Sequence, residues 1–411
     1  MRSLKLFFYL YIMLVPTFQV LVCGSFKLYT WTLFVSIIVV LTLLKAKKIF
    51  FNKSEIALIL SVFAINIFYV LLLGKYLFYI RFSYVIILSI FLAKIFAEYF
   101  SLDELISFVN KIYMIVISIL VLEYIAYILG FHGVISEALT CEISGITQYK
   151  TFNSNFSNIL GIGAQVRGLN FPFMGPQVAS QMSAISFLWF IIIWYSDRNK
   201  YSHLFYWAAL SLTLLVISPT ATIITALLLV VGFTSIAYLR YSHFHSTNFV
   251  NIKSISAALL IIILGVYLVL EYAFISYNNL DDIFRTIVVG QLEIFDRITI
   301  MEGLFGVGSE DLNDYIAGAP GEIGIISQML RVGIIGILVF VVFLLYVMKP
   351  LAGIIEIIVI QKKYYILASA MTLLIHVLSY IHYAVIFRDG AMELFIINLS
   401  LLLFFLKKYR Y

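Results

Sequence analysis

The sequence predicts an all-α, polytopic integral membrane protein with about 12 transmembrane helices. The chain has 411 residues, of which 63% are hydrophobic and only 12% are charged. Apolar runs recur along its whole length, and a helix of about 20 such residues crosses the hydrocarbon core. Because backbone N–H and C=O groups in lipid must be paired within their own segment, each run is expected to be helical.

Twelve transmembrane segments can be placed to within a few residues, and they make residues 1–411 a single polytopic membrane domain. The first segment is interpreted as uncleaved, because Arg2 and Lys5 precede it but no small-residue cleavage site follows. No internal repeat is visible, which disfavours an inverted-repeat transporter. The segments cover about residues 5–23, 28–44, 55–73, 78–97, 112–130, 176–195, 203–218, 220–239, 255–274, 332–348, 364–385 and 389–406.

The distribution of Lys and Arg between these segments predicts their orientation. With the N-terminus inside, 18 of the 27 basic residues fall on the cytoplasmic side and nine on the outer side, although the outer loops are longer. Cytoplasmic loops carry the excess of Lys and Arg in membrane proteins. The sequence therefore predicts that both termini are cytoplasmic and that the two largest polar loops face outward.

These two large loops, residues 131–175 and 275–331, interrupt the apolar pattern. In the second loop, apolar residues recur at helical spacing from Phe284 to Phe295, which predicts an amphipathic helix over about 281–300 at the outer interface. A channel or simple carrier has little need of such loops. An enzyme that acts on a lipid-linked substrate does need them, because its polar chemistry must lie outside the hydrocarbon.

The charge pattern and the motifs exclude several classes of protein. The net charge of +6 arises mostly from basic residues spread singly between apolar runs, a distribution that reflects topology and excludes a nucleic-acid partner. Cys23 and Cys141 form no metal or redox pattern. No Walker loop, Ser-His-Asp arrangement or zinc-binding helix is present. The sequence therefore predicts no cofactor and no metal.

Arg167 is the candidate cation of the first loop. It precedes Gly168-Leu-Asn-Phe-Pro172-Phe-Met-Gly-Pro176, whose Gly and Pro residues favour an extended or turn backbone. A guanidinium held there could bind a diphosphate or a carboxylate through two parallel hydrogen bonds. The alternative is a surface arginine that faces lipid headgroups.

Arg297 is the corresponding candidate in the second loop. It closes the predicted amphipathic helix and precedes Leu304-Phe-Gly306-Val-Gly308, a Gly-x-Gly turn that lets backbone approach another group closely. Arg297 either binds an anionic substrate group or is a helix C-terminal cation favoured by the macrodipole.

Further candidates lie near the outer ends of the last segments. Glu322, just before segment ten, could act as a general base, or could be an ordinary solvated carboxylate. His376 and His382 lie in segment eleven, and their spacing of six residues does not suit a shared metal. A hydrogen-bonded packing role is the alternative for each. Arg285, Arg331 and Arg388 are further outer arginines and further candidates.

Together these motifs resemble the bacterial O-antigen polymerase and O-antigen ligase superfamily, over roughly residues 160–345. The segment from Arg167 to Pro176 is similar to the family's Arg, Gly and Pro segment before a span. Arg297 with Leu304-Phe-Gly-Val-Gly308 is similar to its Arg followed by a Leu-Phe-Gly-x-Gly turn. Gly333-Ile-Ile-Gly336 is similar to its Gly-x-x-Gly at the start of a span.

The resemblance implies a glycosyltransferase of lipopolysaccharide or related surface polysaccharide biosynthesis. Such an O-antigen polymerase joins undecaprenyl-diphosphate-linked oligosaccharide repeat units at the periplasmic face of the bacterial inner membrane. It implies catalytic roles for Arg167 and Arg297, and membrane lipid and a chain-length regulator as further partners. Glu322 is the first candidate for the catalytic base and His382 is the second. The residues predicted to bind substrate are Gly168, Pro172, Gly306, Gly308, Arg285, Arg331, His382 and Arg388.

Two alternatives stay open. The family's ligases, which transfer polymer to lipid A core, carry a His eleven residues before the first Gly of the Gly-x-x-Gly. This chain has Glu322 at that position, which favours a polymerase. A lipid-linked oligosaccharide flippase would also have about twelve spans, but would need a charged central cavity and short outer loops.

Overall fold

The computed structural model describes residues 51–73, 77–128, 176–217, 298–306, 363–382 and 391–408, with helical residues inside 223–234 and 330–345. Among the described residues 90% are helical and none lies in a strand, which confirms the all-α class for that part of the chain. Two stretches, Leu102–Leu122 and Ala179–Ser196, are long and apolar enough to cross a membrane. Three apolar helices are shorter: Leu204–Val216, Tyr364–Ser379 and Leu394–Leu406.

Eight helices have defined bounds, and most lie where an apolar segment predicts one. They are α1 (Lys53–Leu73), α2 (Leu77–Tyr99), α3 (Leu102–Ile128), α4 (Pro176–Ser196), α5 (Leu204–Ile217), α6 (Ile300–Phe305), α7 (Tyr364–His382) and α8 (Ala391–Lys408). The predicted segments 5–23, 28–44 and 255–274 lie outside the described residues.

Helix α3 begins ten residues before the predicted start of its segment at about 112. The cause is a capping box, in which Ser101 N and Ser101 Oγ each donate to Glu104 Oε2 at 3.1 Å. Glu104 N donates back to Ser101 Oγ at 3.4 Å. This exchange satisfies donors that a helix start leaves open, and it fixes the start of α3 at Leu102, where the stretch that is apolar enough to cross a membrane also begins.

Helix α4 is the centre of the packing and contacts α3, α5, α7 and α8. Its Trp189 and Phe190 are fully buried. Their rings lie 5.7 Å and 6.1 Å from the ring of Tyr113 on α3. Aromatic pairs at this separation add to the stabilisation from buried area, so the α3–α4 contact is a principal part of the core.

Two ion pairs lie at one end of the helices, here called the ion-pair end. Lys94 near the end of α2 donates to Glu55 in the first turn of α1 at 2.5 Å, and both side chains are buried. Lys200, between α4 and α5, pairs with Asp103 at the start of α3 at 2.9 Å. The hydrogen bond that Lys200 Nζ donates to Asp103 Oδ1 raises the pKa of the exposed Lys200. The two pairs join helix ends that the distribution of Lys and Arg predicts to lie on the same side of the membrane.

The opposite end, here called the loop end, is where α3 finishes at Ile128 and α4 begins at Pro176. The first large loop, 131–175, therefore leaves and returns at this end. Proline suits the first position of a helix because that N–H has no partner within the helix.

The start of α7 lies at the ion-pair end, because the ring of Tyr364 contacts that of Tyr195, near the end of α4, at 5.6 Å.

We expect Lys94→Met to destabilise the protein strongly, because it leaves the buried carboxylate of Glu55 without its cation. Breaking such a pair costs about 3–5 kcal/mol. Thermal unfolding of the purified protein measures the effect, and Lys200→Met is the matched control. The side chains of Lys200 and Asp103 are 49% and 76% exposed, and an exposed pair contributes about 0–1 kcal/mol. Equal effects of the two substitutions would contradict the assignment.

Candidate functional site

The structure brings together two of the glycine motifs that the sequence analysis selected. Gly333, from Gly333-Ile-Ile-Gly336, lies against the end of α6, which carries Leu304-Phe-Gly306. A Cβ atom on Gly333 would lie 2.2 Å from the carbonyl oxygen of Leu304 and 2.6 Å from the N of Gly306. Real Cβ atoms do not come this close, so only glycine fits. We call this contact the glycine junction.

Both glycines of the junction also have a backbone that other residues rarely adopt. The φ angle is 68° at Gly333 and 81° at Gly306. A side chain at positive φ meets its own backbone, whereas glycine has no Cβ to clash. Two independent constraints, backbone conformation and close approach, therefore require glycine at Gly333.

A capping box starts α6 directly before the junction. Thr299 N and Thr299 Oγ1 both donate to Glu302 Oε2 at 2.8 Å, and Glu302 N donates to Thr299 Oγ1 at 3.3 Å. Thr299 is extended, with φ −71° and ψ 161°. The helix predicted over about 281–300 therefore does not continue through Thr299, and its residues before 298 lie outside the described part of the chain.

Buried apolar side chains hold the other half of the junction. Leu330 and Val332, on either side of position 331, are 1% and 2% exposed. A Cβ atom on Gly336 would lie 2.6 Å from Cβ of Val332, so the second glycine of the Gly-x-x-Gly leaves room for a buried valine. Phe305 and Ile337 pack against the same core. The junction is thus anchored in the helical body.

Most of the predicted site residues lie outside the described residues. Gly306 is described, and it lies in the junction. His382 is the last residue of α7, and its side chain falls outside the described set. The candidates outside the described residues are Arg167, Gly168, Pro172, Arg285, Arg297, Gly308, Glu322, Arg331 and Arg388. By position in the chain, Arg297 comes two residues before the N-cap Thr299.

A second group of polar residues lies in the interior of the helical body. The Tyr113 hydroxyl donates to Asn398 Oδ1 at 2.6 Å, and Asn398 Nδ2 lies 3.3 Å from His376 Nε2. All three side chains are fully buried, and they join α3, α8 and α7. The hydrogen-bonded packing role predicted as one alternative for His376 is therefore the one that the structure shows.

Two further hydrogen bonds tie α4 to its neighbours. Gln181 Nε2 donates to Ser379 Oγ on α7 at 2.6 Å. Trp189 Nε1 donates to Asn110 Oδ1 on α3 at 2.7 Å. These amides were not among the residues predicted from the sequence, although an Asn or Gln inside an apolar segment is a recognisable signal of an interior contact. The capping box of α6 was not predicted either, although Thr299-x-x-Glu302 has the spacing of one.

The described residues contain no group of three His, Cys, Asp or Glu side chains that could hold a metal ion. Cys23 and Cys141 lie outside that part of the chain.

Comparison with known proteins gives no family for this chain. No family model, no curated protein and no solved structure matches it. The glycine junction and the second large loop are therefore the features on which a function can be based.

We expect Gly333→Ala to destabilise the second loop and Gly303→Ala to be tolerated. The positive φ at Gly333 costs an alanine about 1–2 kcal/mol, and the contact with Leu304 adds to this. A Cβ on Gly303, inside α6, would meet only Ile298 Cδ1 at an ordinary 3.8 Å, and alanine favours the helix by about 1 kcal/mol. Limited proteolysis near α6, with thermal unfolding, distinguishes them. Equal protease resistance of both variants would contradict the junction.

Proposed function

We propose that this protein is a membrane-embedded polymerase of a bacterial surface polysaccharide. It would join undecaprenyl-diphosphate-linked oligosaccharide repeat units at the periplasmic face of the inner membrane. The observation that carries the proposal is the glycine junction. The two motifs in it, Leu304-Phe-Gly306 and Gly333-Ile-Ile-Gly336, are separate in the chain, and both belong to the pattern that resembles the O-antigen polymerases.

A membrane location of about 12 spans, with both termini cytoplasmic, is part of the proposal. An apolar stripe on α1 supports it: Ile56, Leu60, Phe63 and Ile67 recur at helical spacing and are 45–62% exposed. Such a stripe is unfavourable in water, and hydrocarbon accommodates it. In this proposal the ion-pair end lies on the cytoplasmic side, because its Lys94 and Lys200 are among the basic residues that the sequence assigns there.

The proposed reaction is a glycosyl transfer between two lipid-linked sugars. A hydroxyl of the acceptor unit attacks the anomeric carbon of the donor chain and forms the new glycosidic bond. The bond from that carbon to the lipid diphosphate breaks, and the diphosphate leaves with the bonding electrons. The acceptor proton goes to a base, for which Glu322 is the candidate.

Negative charge grows on the diphosphate as its bond to the sugar breaks. Arg167 and Arg297 would stabilise this charge, since a guanidinium makes two parallel hydrogen bonds to phosphate oxygens. The junction supports this role for Arg297. A short capped helix anchored on Gly333 would give the residues just before it a defined position relative to the membrane.

We expect Arg167→Ala and Arg297→Ala each to lower the polymerisation rate about 10²–10³-fold, the usual effect of losing one donor to a developing anion. Cells that supply the cognate repeat unit would then display single-unit glycans in place of a ladder. Gel analysis of surface glycans reads this out, with immunoblotting to show that the protein is still made.

Lys150→Ala is the matched control, since Lys150 is a cation of the first loop outside the motif. It should leave the ladder intact. Normal ladders from both arginine variants would overturn the proposal. Loss of polymer attachment to lipid A core, with long polymer still on its lipid carrier, would instead identify a ligase.

We expect Glu322→Gln to abolish most polymerisation while leaving repeat-unit binding intact, because the amide keeps the size of the side chain but cannot accept a proton at that step. Glu310→Gln, in the same loop, is the control. The measurement is the yield and length of polymer from purified protein with lipid-linked repeat units. Unchanged yield and length in Glu322→Gln would remove Glu322 from the mechanism.

A further inference from the structure

We propose that the ion-pair end carries a binding site for the headgroup of an anionic phospholipid, with Arg198 as the cation that holds its phosphate. The inference rests on the membrane location proposed above and does not depend on the proposed reaction. It follows from the direction of the Arg198 side chain, the aromatic rings around it and the engagement of the carboxylates in the same region.

The side chain of Arg198 extends back over the helix that precedes it. Arg198 lies two residues beyond the end of α4 at Ser196. Its Cζ atom nevertheless lies 5.1 Å from the ring centroid of Trp194 and 5.3 Å from that of Tyr195. Both rings belong to the last turn of α4, so in a membrane-spanning helix the guanidinium is held on the hydrocarbon side of its own backbone. An arginine at the end of such a helix usually extends towards water instead.

Five aromatic side chains of α4, α5 and α7 form a row at this level, here called the aromatic row. The ring of Trp194 lies 5.1 Å from that of Phe205, which lies 6.1 Å from that of Tyr206. On the other side, the rings of Tyr195 and Tyr364 meet edge to face at 5.6 Å. Tyr195 and Tyr206 are 54% and 75% exposed. Because Trp and Tyr are enriched at the level of lipid headgroups, the row marks the depth of the lipid phosphates.

The aromatic rings hold Arg198 but do not neutralise its charge. Within the part of the chain that the structure describes, Arg198 has no carboxylate partner. Asp197 Oδ1 accepts the backbone N–H of Lys200 at 3.0 Å, and Asp103 Oδ1 accepts from Lys200 Nζ at 2.9 Å. A guanidinium makes two parallel hydrogen bonds to a phosphate, so a headgroup phosphate would supply the anion that Arg198 lacks.

A second basic residue reaches the aromatic row at the start of α7. Lys363 directly precedes Tyr364, whose ring contacts that of Tyr195 beneath Arg198. The rows of two neighbouring helices thus bring basic residues to one place. Basic residues between membrane helices on the cytoplasmic side bind anionic lipid headgroups.

The apolar face of α5 favours a lipid over a free phosphate ion. Phe205, Leu212 and Val216 recur at helical spacing and are 41–46% exposed. Helix α5 runs from the aromatic row towards the loop end, so an acyl chain can lie along this face while its headgroup contacts Arg198. A free phosphate would make no use of these side chains.

The test measures lipid binding to the purified full-length protein by native mass spectrometry, with equal amounts of phosphatidylglycerol and phosphatidylcholine. We expect phosphatidylglycerol to bind preferentially. Arg198→Gln should lower its apparent affinity about fivefold, the usual effect of one basic residue near an anionic membrane surface, and should leave phosphatidylcholine binding unchanged. No preference in the unsubstituted protein, or the same affinity for phosphatidylglycerol in Arg198→Gln, would overturn the proposal.

Lys200→Gln is the matched control. It removes the same charge from the same loop, but Lys200 pairs with Asp103 and lies outside the proposed site, so its effect should be smaller. An equal loss in both variants would indicate attraction to the overall charge of this end and would contradict a site at Arg198. Full displacement of phosphatidylglycerol by inorganic phosphate would contradict the contribution of the acyl chain.

A separate measurement distinguishes failure of this proposal from failure of the membrane assignment. Alkaline carbonate should leave the protein in the membrane. Its release would refute the membrane location on which the lipid site rests. Retention in the membrane without selective binding of phosphatidylglycerol would refute the lipid site alone.

Discussion

A polar group enclosed by apolar side chains must find a partner, and this constraint determines how the described helices meet. Leaving such a group unpaired costs about 1–3 kcal/mol, and more for a charge. Apolar faces alone would allow many ways of sliding α3, α7 and α8 past one another. The hydrogen bonds from Tyr113 to Asn398 and from Asn398 to His376 are made in one register only. The buried pair of Lys94 and Glu55 does the same for α1 and α2.

The glycine junction applies a different constraint, which acts between two backbones and not between side chains. Leu304 and Gly333 approach so closely that a single methyl group would separate them. Such a contact has no flexible side chain that could move to accommodate a shift of α6. It therefore restricts the position of α6 more than a contact between leucine side chains would. A loop that must present charged groups to a substrate benefits from one rigid attachment of this kind.

The sequence predicted most of the described helices, because the signal for an apolar segment is local and strong. Segment 176–195 and helix Pro176–Ser196 agree almost residue for residue. The predicted start of the segment at about 112 was wrong, because the apolar stretch already begins at Leu102, where a capping box starts α3. The pairing of Asn398 with Tyr113 joins residues 285 positions apart, and no local pattern contains it. The close approach of Gly306 and Gly333 could likewise not be predicted from the sequence, because the two residues are far apart in the chain. Both glycines were nevertheless recognised as members of motifs.

Charge in the described body bears on where any chemistry can occur. Its buried charged side chains are Glu55 and Lys94, which neutralise each other at the ion-pair end, while the other buried polar groups are amides, hydroxyls and one histidine. Amides and hydroxyls can fix helix register, but they stabilise a leaving diphosphate far less than a guanidinium does. The proposed reaction would therefore depend on the arginines of the two large loops, and the glycine junction attaches one of those loops to the helices.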